Sequence, residues 1–438
     1  MGTAVPIALL AVGGIAAAAL VVFGLRLLPR AAFAVWAAVL FFVPIWVGIN
    51  VGFYGSAITL LTILLIIVNW SVVPLRAADA WVVAFLVVVA GLFGIGTVDL
   101  PSLLTAVLEW VIPYIWGRVV LARVSTEWVI GVIATVAVIA GALAVVEFFT
   151  VFNPFIMIPG SGIVHDTWST LQERAGVLRA EGAFGHSIAL GAALAMSSAF
   201  VVAARWHLVV KILGVVVIAT ATVVTFSRTG LITLVITLAL SAFLIAGVSK
   251  RFRVAVAITG VIGAIVIIPI VDTVFGEAGD EAGGSADYRT DLLVLIGQVR
   301  PFGNPGEWQS LVSGDYYLGY FARSIDNALV LTLLRYGYIP TLLIMGAVVC
   351  VTVLALRRST RSPAALAVAG QLPSLVVVAL ITQYSSFFWF CVGLAVTWAR
   401  DAPSAQPVRD PGRELSAESD LPRLPDLTRP GAREGRMP

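Results

Sequence analysis

Between Val5 and Trp398 the chain returns repeatedly to apolar runs of about 20 residues, the length a helix needs to cross the hydrocarbon core of a bilayer. No water is present there to pair a bare amide or carbonyl, so a spanning segment must satisfy its own backbone, as a helix does. The runs are Val5–Leu25, Ala31–Ile49, Tyr54–Val73, Ala80–Thr97, Leu103–Leu121, Trp128–Thr150, Ala183–Ala204, Leu208–Phe226, Gly230–Val248, Val254–Phe275 and Tyr338–Leu356. A last stretch, Ala364–Trp398, is too long for one ordinary crossing, and Pro373 with the polar Thr382–Ser386 segment splits it into two helices. Charged residues make up 12% of the chain, against roughly 25% in a soluble globule. The fold class expected is all-α, a polytopic integral membrane protein of about twelve or thirteen transmembrane helices with two large external loops.

Arginine and lysine set the orientation, because they collect on the cytoplasmic side. Arg26 and Arg30, Arg76, Arg118 and Arg123, Arg205 and Lys211, Lys250 to Arg253, and Arg357 to Arg361 fall on alternate connections, which places those connections in the cytoplasm. The opposite connections are then external: Asn50–Phe53, Val98–Pro101, residues 151–182, the Ser227-Arg228 turn and residues 276–337. The chain thus divides into N-terminal transmembrane helices (1–150), an external loop (151–182), further helices (183–275), a large external loop (276–337), C-terminal helices (338–399) and a tail (400–438). The tail is rich in Pro, Arg, Asp, Glu and Ser and is read as a disordered cytoplasmic segment. Met1 to Leu10 carries no Lys or Arg, so the first run reads as a retained helix rather than a cleaved signal. Cys350 and Cys391 sit in apolar runs and read as buried thiols.

External connections are poor in arginine by the same rule, so the arginines found there call for partners. The first loop carries Arg174 and Arg179, the short turn Arg228, and the long loop Tyr288-Arg289 and Arg323. A guanidinium binds phosphate through two parallel hydrogen bonds; the plain alternative is an ion pair with a loop carboxylate such as Glu173 or Asp287. His186 heads a Gly- and Ala-rich helix, where a hydrogen-bonded polar residue is ordinary. Asp326 precedes an apolar helix and can act as its cap or, with a suitable pKa, as a general base. Glu109 and Glu147 lie within apolar runs; such carboxylates are functional candidates by default, unless each reaches the interface or pairs with an arginine. Nothing in the spacing of Cys, His and carboxylates suggests a metal, and no basic stripe suggests nucleic acid.

Several of these stretches form an ordered series. They are Arg179 to His186 at a helix entry, the Ser227-Arg228 turn, Tyr288-Arg289, Pro301-Phe302-Gly303-Asn304-Pro305-Gly306, and Asp326-Asn327 running to Gly337. The series resembles the O-antigen ligase and O-antigen polymerase superfamily of bacterial envelope glycosyltransferases, over roughly Arg174 to Leu356. The resemblance implies a GT-C-like enzyme of the bacterial cytoplasmic (inner) membrane with its site on the external face. Such an enzyme moves a glycan from a polyprenyl-diphosphate carrier to a glycan or glycolipid acceptor, with inversion and without metal or other cofactor. It implies that Arg228 and Arg289 grip the diphosphate, with Arg174, Arg179, Arg323, Tyr288, His186 and Asn327 around the substrate. The lipid bilayer and other envelope-assembly proteins are the implied partners. The family has His-Asn where this chain has Asp326-Asn327, so Asp326 occupies the place of the family's catalytic base. The competing expectation is a transporter of an anion or a glycan-lipid, which would hold its essential charges near the bilayer midplane; a non-catalytic scaffold is a third.

Overall fold

The structure, a computed structural model, describes residues 22–50, 52–174, 176–258, 295–306, 312–313, 316–317, 325 and 327–401. Most of these are helical, and the strands form three short two-stranded hairpins among the described residues. In order come α1 (Pro29–Phe42), a hairpin of β1 (Gly48–Asn50) and β2 (Tyr54–Ser56), α2 (Ala57–Val68), α3 (Ala77–Gly94), α4 (Leu100–Ala122) and α5 (Thr126–Thr150). After the short α6 (Gly162–Trp168) and the hairpin of β3 (Glu173–Arg174) and β4 (Val177–Leu178) follow α7 (Ser187–Ala203), α8 (Leu208–Val224) and α9 (Arg228–Leu244). The chain closes with α10 (Ala328–Tyr336), α11 (Tyr338–Leu356), α12 (Pro363–Gly370) and α13 (Thr382–Asp401).

Local chemistry sets the helix ends. Ser56, Ser125 and Ser227 accept from the amides of Thr59, Trp128 and Gly230, so α2, α5 and α9 each begin on a serine cap. Helix α1 stops at Phe42, short of the apolar run from which it was expected to reach Ile49, because Pro44 follows and disfavours helix in the residue before it. The long C-terminal run divides at Gln371–Ile381, and the polar Thr382–Ser386 segment starts the second helix rather than forming the turn.

Helices α3, α4, α5 and α11 are long and apolar enough to cross a membrane, and six shorter apolar helices accompany them. Their outer faces expose Val83, Val87, Ile139, Val146, Leu342 and Val349. Apolar surface on this scale would drive a soluble protein to aggregate and is ordinary against lipid tails. The described residues are mostly helical and carry the apolar helices of an all-α membrane protein.

Two helices lie inside the others. Almost every residue of α7 from Ser187 to Val202 is buried, as is α13 from Gln383 to Val396. A helix enclosed on all sides needs apolar or small residues all round, and the small ones let backbones meet. Gly117 of α4 and Gly393 of α13 face each other so closely that a Cβ on Gly393 would collide with the Tyr114 carbonyl and one on Gly117 with that of Phe390. At the next residue the Arg118 guanidinium lies on the Asp79 carboxylate at 2.7 and 2.9 Å, reaches Thr397 Oγ1 at 2.7 Å and donates to the Pro74 carbonyl. Tyr114 donates to the same carboxylate at 2.6 Å. Arg118 was expected in a cytoplasmic connection; its side chain instead turns into the bundle, because Asp79 is there to neutralise it.

The remaining basic connections gather at the same end. Arg123 donates to Asn69, and Arg205 pairs with Glu127 at 2.8 Å. Arg361 donates to the Ala355, Leu356 and Leu244 carbonyls, so one side chain closes the last turns of both α11 and α9. The opposite end carries the 43–57, 151–186 and 225–227 connections and the head of α10.

Replacing Arg118 by Leu strands Asp79 in the interior, and the expected loss is about 3–5 kcal/mol. The thermal unfolding midpoint in detergent falls accordingly. Replacing Asp79 and Arg118 together by Leu removes both charges and recovers most of the loss. Equal midpoints for the single and double variants would refute the coupling.

Candidate functional site

Among the residues singled out in the sequence, Tyr288, Arg289, Arg323 and Asp326 lie outside the described residues. Arg174 forms the end of β3, paired with Val177 in its hairpin. Arg179, His186 and Arg228 come together at one end of the bundle. Arg179 Nε donates to the Thr225 carbonyl at 2.9 Å, two residues before the Ser227 cap, and Arg228 is the first residue of α9. Both arginines are engaged with partners. His186 caps α7, its Nδ1 accepting from the Ile188 amide at 3.2 Å, and burial holds its imidazole neutral, with the charge of Arg179 pushing the same way. Asn327 caps α10: its Oδ1 accepts from Val330 at 3.0 Å and its Nδ2 donates to the Val376 carbonyl at 2.8 Å. The cap role considered for Asp326 is thus filled by its neighbour.

The loop around Arg179 is held from below by a carboxylate. Glu147, near the end of α5, accepts from the amides of Glu181 and Gly182 and from Asn153 Nδ2, at 2.9 to 3.0 Å. Those donors meet its carboxyl oxygens, and through them it fastens the 181–184 turn rather than pairing with an arginine. Above it, Glu181 accepts from the Gln172 amide at 2.8 Å. Burial, reinforced by the Glu147 charge, pushes the Glu181 carboxyl up to about 8 despite the Gln172 bond and the nearby Arg179.

Beside this loop lies a cavity of about 510 Å3. Its walls come from the β1–β2 hairpin, the outer half of α4, α6, one face of α10 and the start of α13. Asn327, Leu331 and Arg335 repeat at four-residue spacing, so they share a face of α10, and Leu331 and Arg335 line the cavity. Glu109 lines it from α4, close enough to feel the Arg335 charge. Among the described residues neither side chain has a hydrogen-bond or ion-pair partner. Trp168 of α6 reaches the wall, and its ring stands edge-on to His186 with centroids 6.0 Å apart. The cavity and the arginine-bearing loop are therefore neighbours.

Glu109 faces the cavity because α4 is locally wide. Pro113 has no N–H to offer the Glu109 carbonyl, and its ring would press on that carbonyl in a regular helix. The chain responds with a π-helical stretch, Thr105–Val111, in which the Ile112 amide reaches back five residues to Val107. Such turns recur at functional sites. The signal was present in the sequence as a Glu and a Pro four residues apart in an apolar run. Arg335 carried no comparable mark, since it reads as an ordinary basic residue in the last turn of a helix.

The loop has a pH dependence of defined sign. The folded Glu181 carboxyl titrates near 8, above the ordinary 4.5, so the folded protein keeps a proton that the unfolded chain releases. Its contribution to stability is complete below about pH 4.5 and is lost as pH rises through about 8. Glu181→Gln is expected to flatten the fall in unfolding midpoint between these limits while leaving the midpoint near pH 5 little changed. A variant whose profile parallels that of the wild type would show that Glu181 does not titrate in this window.

The chain matches no known protein-family model and no curated protein sequence.

Proposed function

We propose that this protein is a glycosyltransferase that moves a polyprenyl-diphosphate-linked glycan onto an acceptor glycan at the outer face of a bacterial cytoplasmic membrane. One observation carries the reading. The cavity is walled by the helix capped by Asn327, next to Asp326, and it adjoins the end of the bundle that carries Arg179 and Arg228. Its volume of about 510 Å3 falls in the range of ligand pockets, roughly 300–1,000 Å3. The basic connections at the opposite end support an orientation with that end in the cytoplasm.

In this reading Arg228 and Arg289 hold the carrier diphosphate, with Arg174, Arg179 and Arg323 assisting. The acceptor hydroxyl attacks the anomeric carbon while the bond from that carbon to the diphosphate oxygen breaks. The electron pair leaves with the diphosphate, and the hydroxyl proton passes to Asp326. Fixed guanidiniums favour the departing charge more than the ground state, and that difference accelerates the reaction. The polymerase and ligase forms differ only in the acceptor.

A transporter of an anion or a glycan-lipid is the second reading, and one observation favours it. Glu109 lies nine residues into α4, about 14 Å along the helix, near the middle of a hydrocarbon layer roughly 30 Å thick.

The test is the glycan profile of a deletion strain carrying wild type or Arg228→Ala. Loss of long glycan with single repeat units left on the carrier, restored only by wild type, is the expected result for a polymerase. Full-length glycan retained on the carrier identifies a ligase. A glycan profile unchanged by the deletion would refute the transferase reading and leave the transporter.

A further inference from the structure

The cavity holds one carboxylate and one guanidinium, Glu109 and Arg335, in a setting where unpaired charges cost several kcal/mol. A carboxyl accepts and a guanidinium donates, so the pair suits a ligand that can do both better than a dianion that only accepts. A ligand between them recovers the cost by donating hydrogen bonds to the carboxylate and accepting them from the guanidinium. Vicinal hydroxyls do both.

The floor adds an independent observation. Thr382, the first residue of α13, sits at φ +48°, a left-handed backbone that a β-branched residue rarely adopts. The residue lines the cavity, and its hydroxyl is buried beneath that surface with no hydrogen-bond partner among the described residues. Strain and an unmet buried hydroxyl at one position mark a site where the fold gives up stability for function. Ser386, one turn along α13, lines the same floor. Tyr54 and Trp168 also line the cavity, and flat aromatic faces suit the C–H face of a sugar ring. The Tyr54 hydroxyl is tied to the Ile45 carbonyl at 2.5 Å, so its ring is already positioned.

We propose that this cavity is the subsite for an uncharged sugar ring of the glycan, distinct from the place of the carrier diphosphate. Glu109 accepts from ring hydroxyls, Arg335 donates to ring and hydroxyl oxygens, and Thr382 completes the floor. The choice of a glycan sugar rests on the glycosyltransferase reading above.

The test is direct binding. Lipid-linked glycan from the source organism is cleaved by mild acid and phosphatase, and the neutral oligosaccharide is labelled at its reducing end. Its affinity for the full chain in lipid nanodiscs is measured by equilibrium dialysis. Glu109→Gln and Arg335→Gln each weaken binding about tenfold, as the loss of a hydrogen bond to a charged group does. Millimolar inorganic pyrophosphate does not displace the sugar. Each variant is first checked for the wild-type unfolding midpoint, and Arg335→Lys replaces any Arg335→Gln protein that fails. Undetectable binding by wild type, wild-type affinity in folded variants of Glu109 and Arg335, or displacement by pyrophosphate would overturn the inference. If the variants weaken binding while deletion leaves the glycan profile unchanged, the transferase reading falls and the sugar site stands. If deletion abolishes glycan but the variants bind normally, only the sugar site falls.

Discussion

Where α4 meets α13, Gly117 and Gly393 let the two backbones touch, and the arrangement at both ends of the pair follows from that contact. Toward the basic end it brings Arg118 within reach of Thr397 and Asp79. Toward the other end the same two helices supply Glu109, Thr382 and Ser386 to one cavity. With no side chain between them at the crossing, their separation is fixed by van der Waals contact rather than by adjustable packing. A widened turn in α4 between the anchor and the cavity changes the direction of Glu109 without loosening the crossing.

Two glutamates within apolar helices show how surroundings assign roles to one residue type. Glu147 is met by two backbone amides and a carboxamide, and it organises a turn. Among the described residues Glu109 has no hydrogen-bond partner and feels the charge of Arg335 on the same cavity wall. In a medium of low dielectric the first arrangement is self-sufficient and the second is incomplete. Such incompleteness is what a binding site has before its ligand arrives.

Much of the helical pattern was legible in the residues. Helix α11 occupies Tyr338–Leu356, the apolar run itself, because nothing charged interrupts it and Gly337 and Arg357 bound it. The chemistry was less legible, since it depends on pairings distant in sequence. Asp79 and Arg118 are 39 residues apart, and nothing local in either announces the other. Trp46 donates to the Ile158 carbonyl, and Gly160 must stay small to pass its ring, yet an indole in an apolar run looks like lipid-facing material. The Pro301–Gly306 motif acts through its backbone: Gly303 donates to the Tyr336 carbonyl and Asn304 to that of Thr97, docking this stretch against the end of α10. Arg335 was visible only as part of a motif, because the open space it faces is made by segments far along the chain.

The clasp formed by Arg361 carries a consequence for how this sequence can drift. At most positions on a basic rim, arginine and lysine are interchangeable as carriers of charge. Here one planar fork serves the carbonyls of Ala355, Leu356 and Leu244 at once. An ammonium group has no such spread, and lysine keeps the charge while releasing one helix end or the other. The codon is thus held by geometry where its neighbours Arg357 and Arg358 are held only by sign.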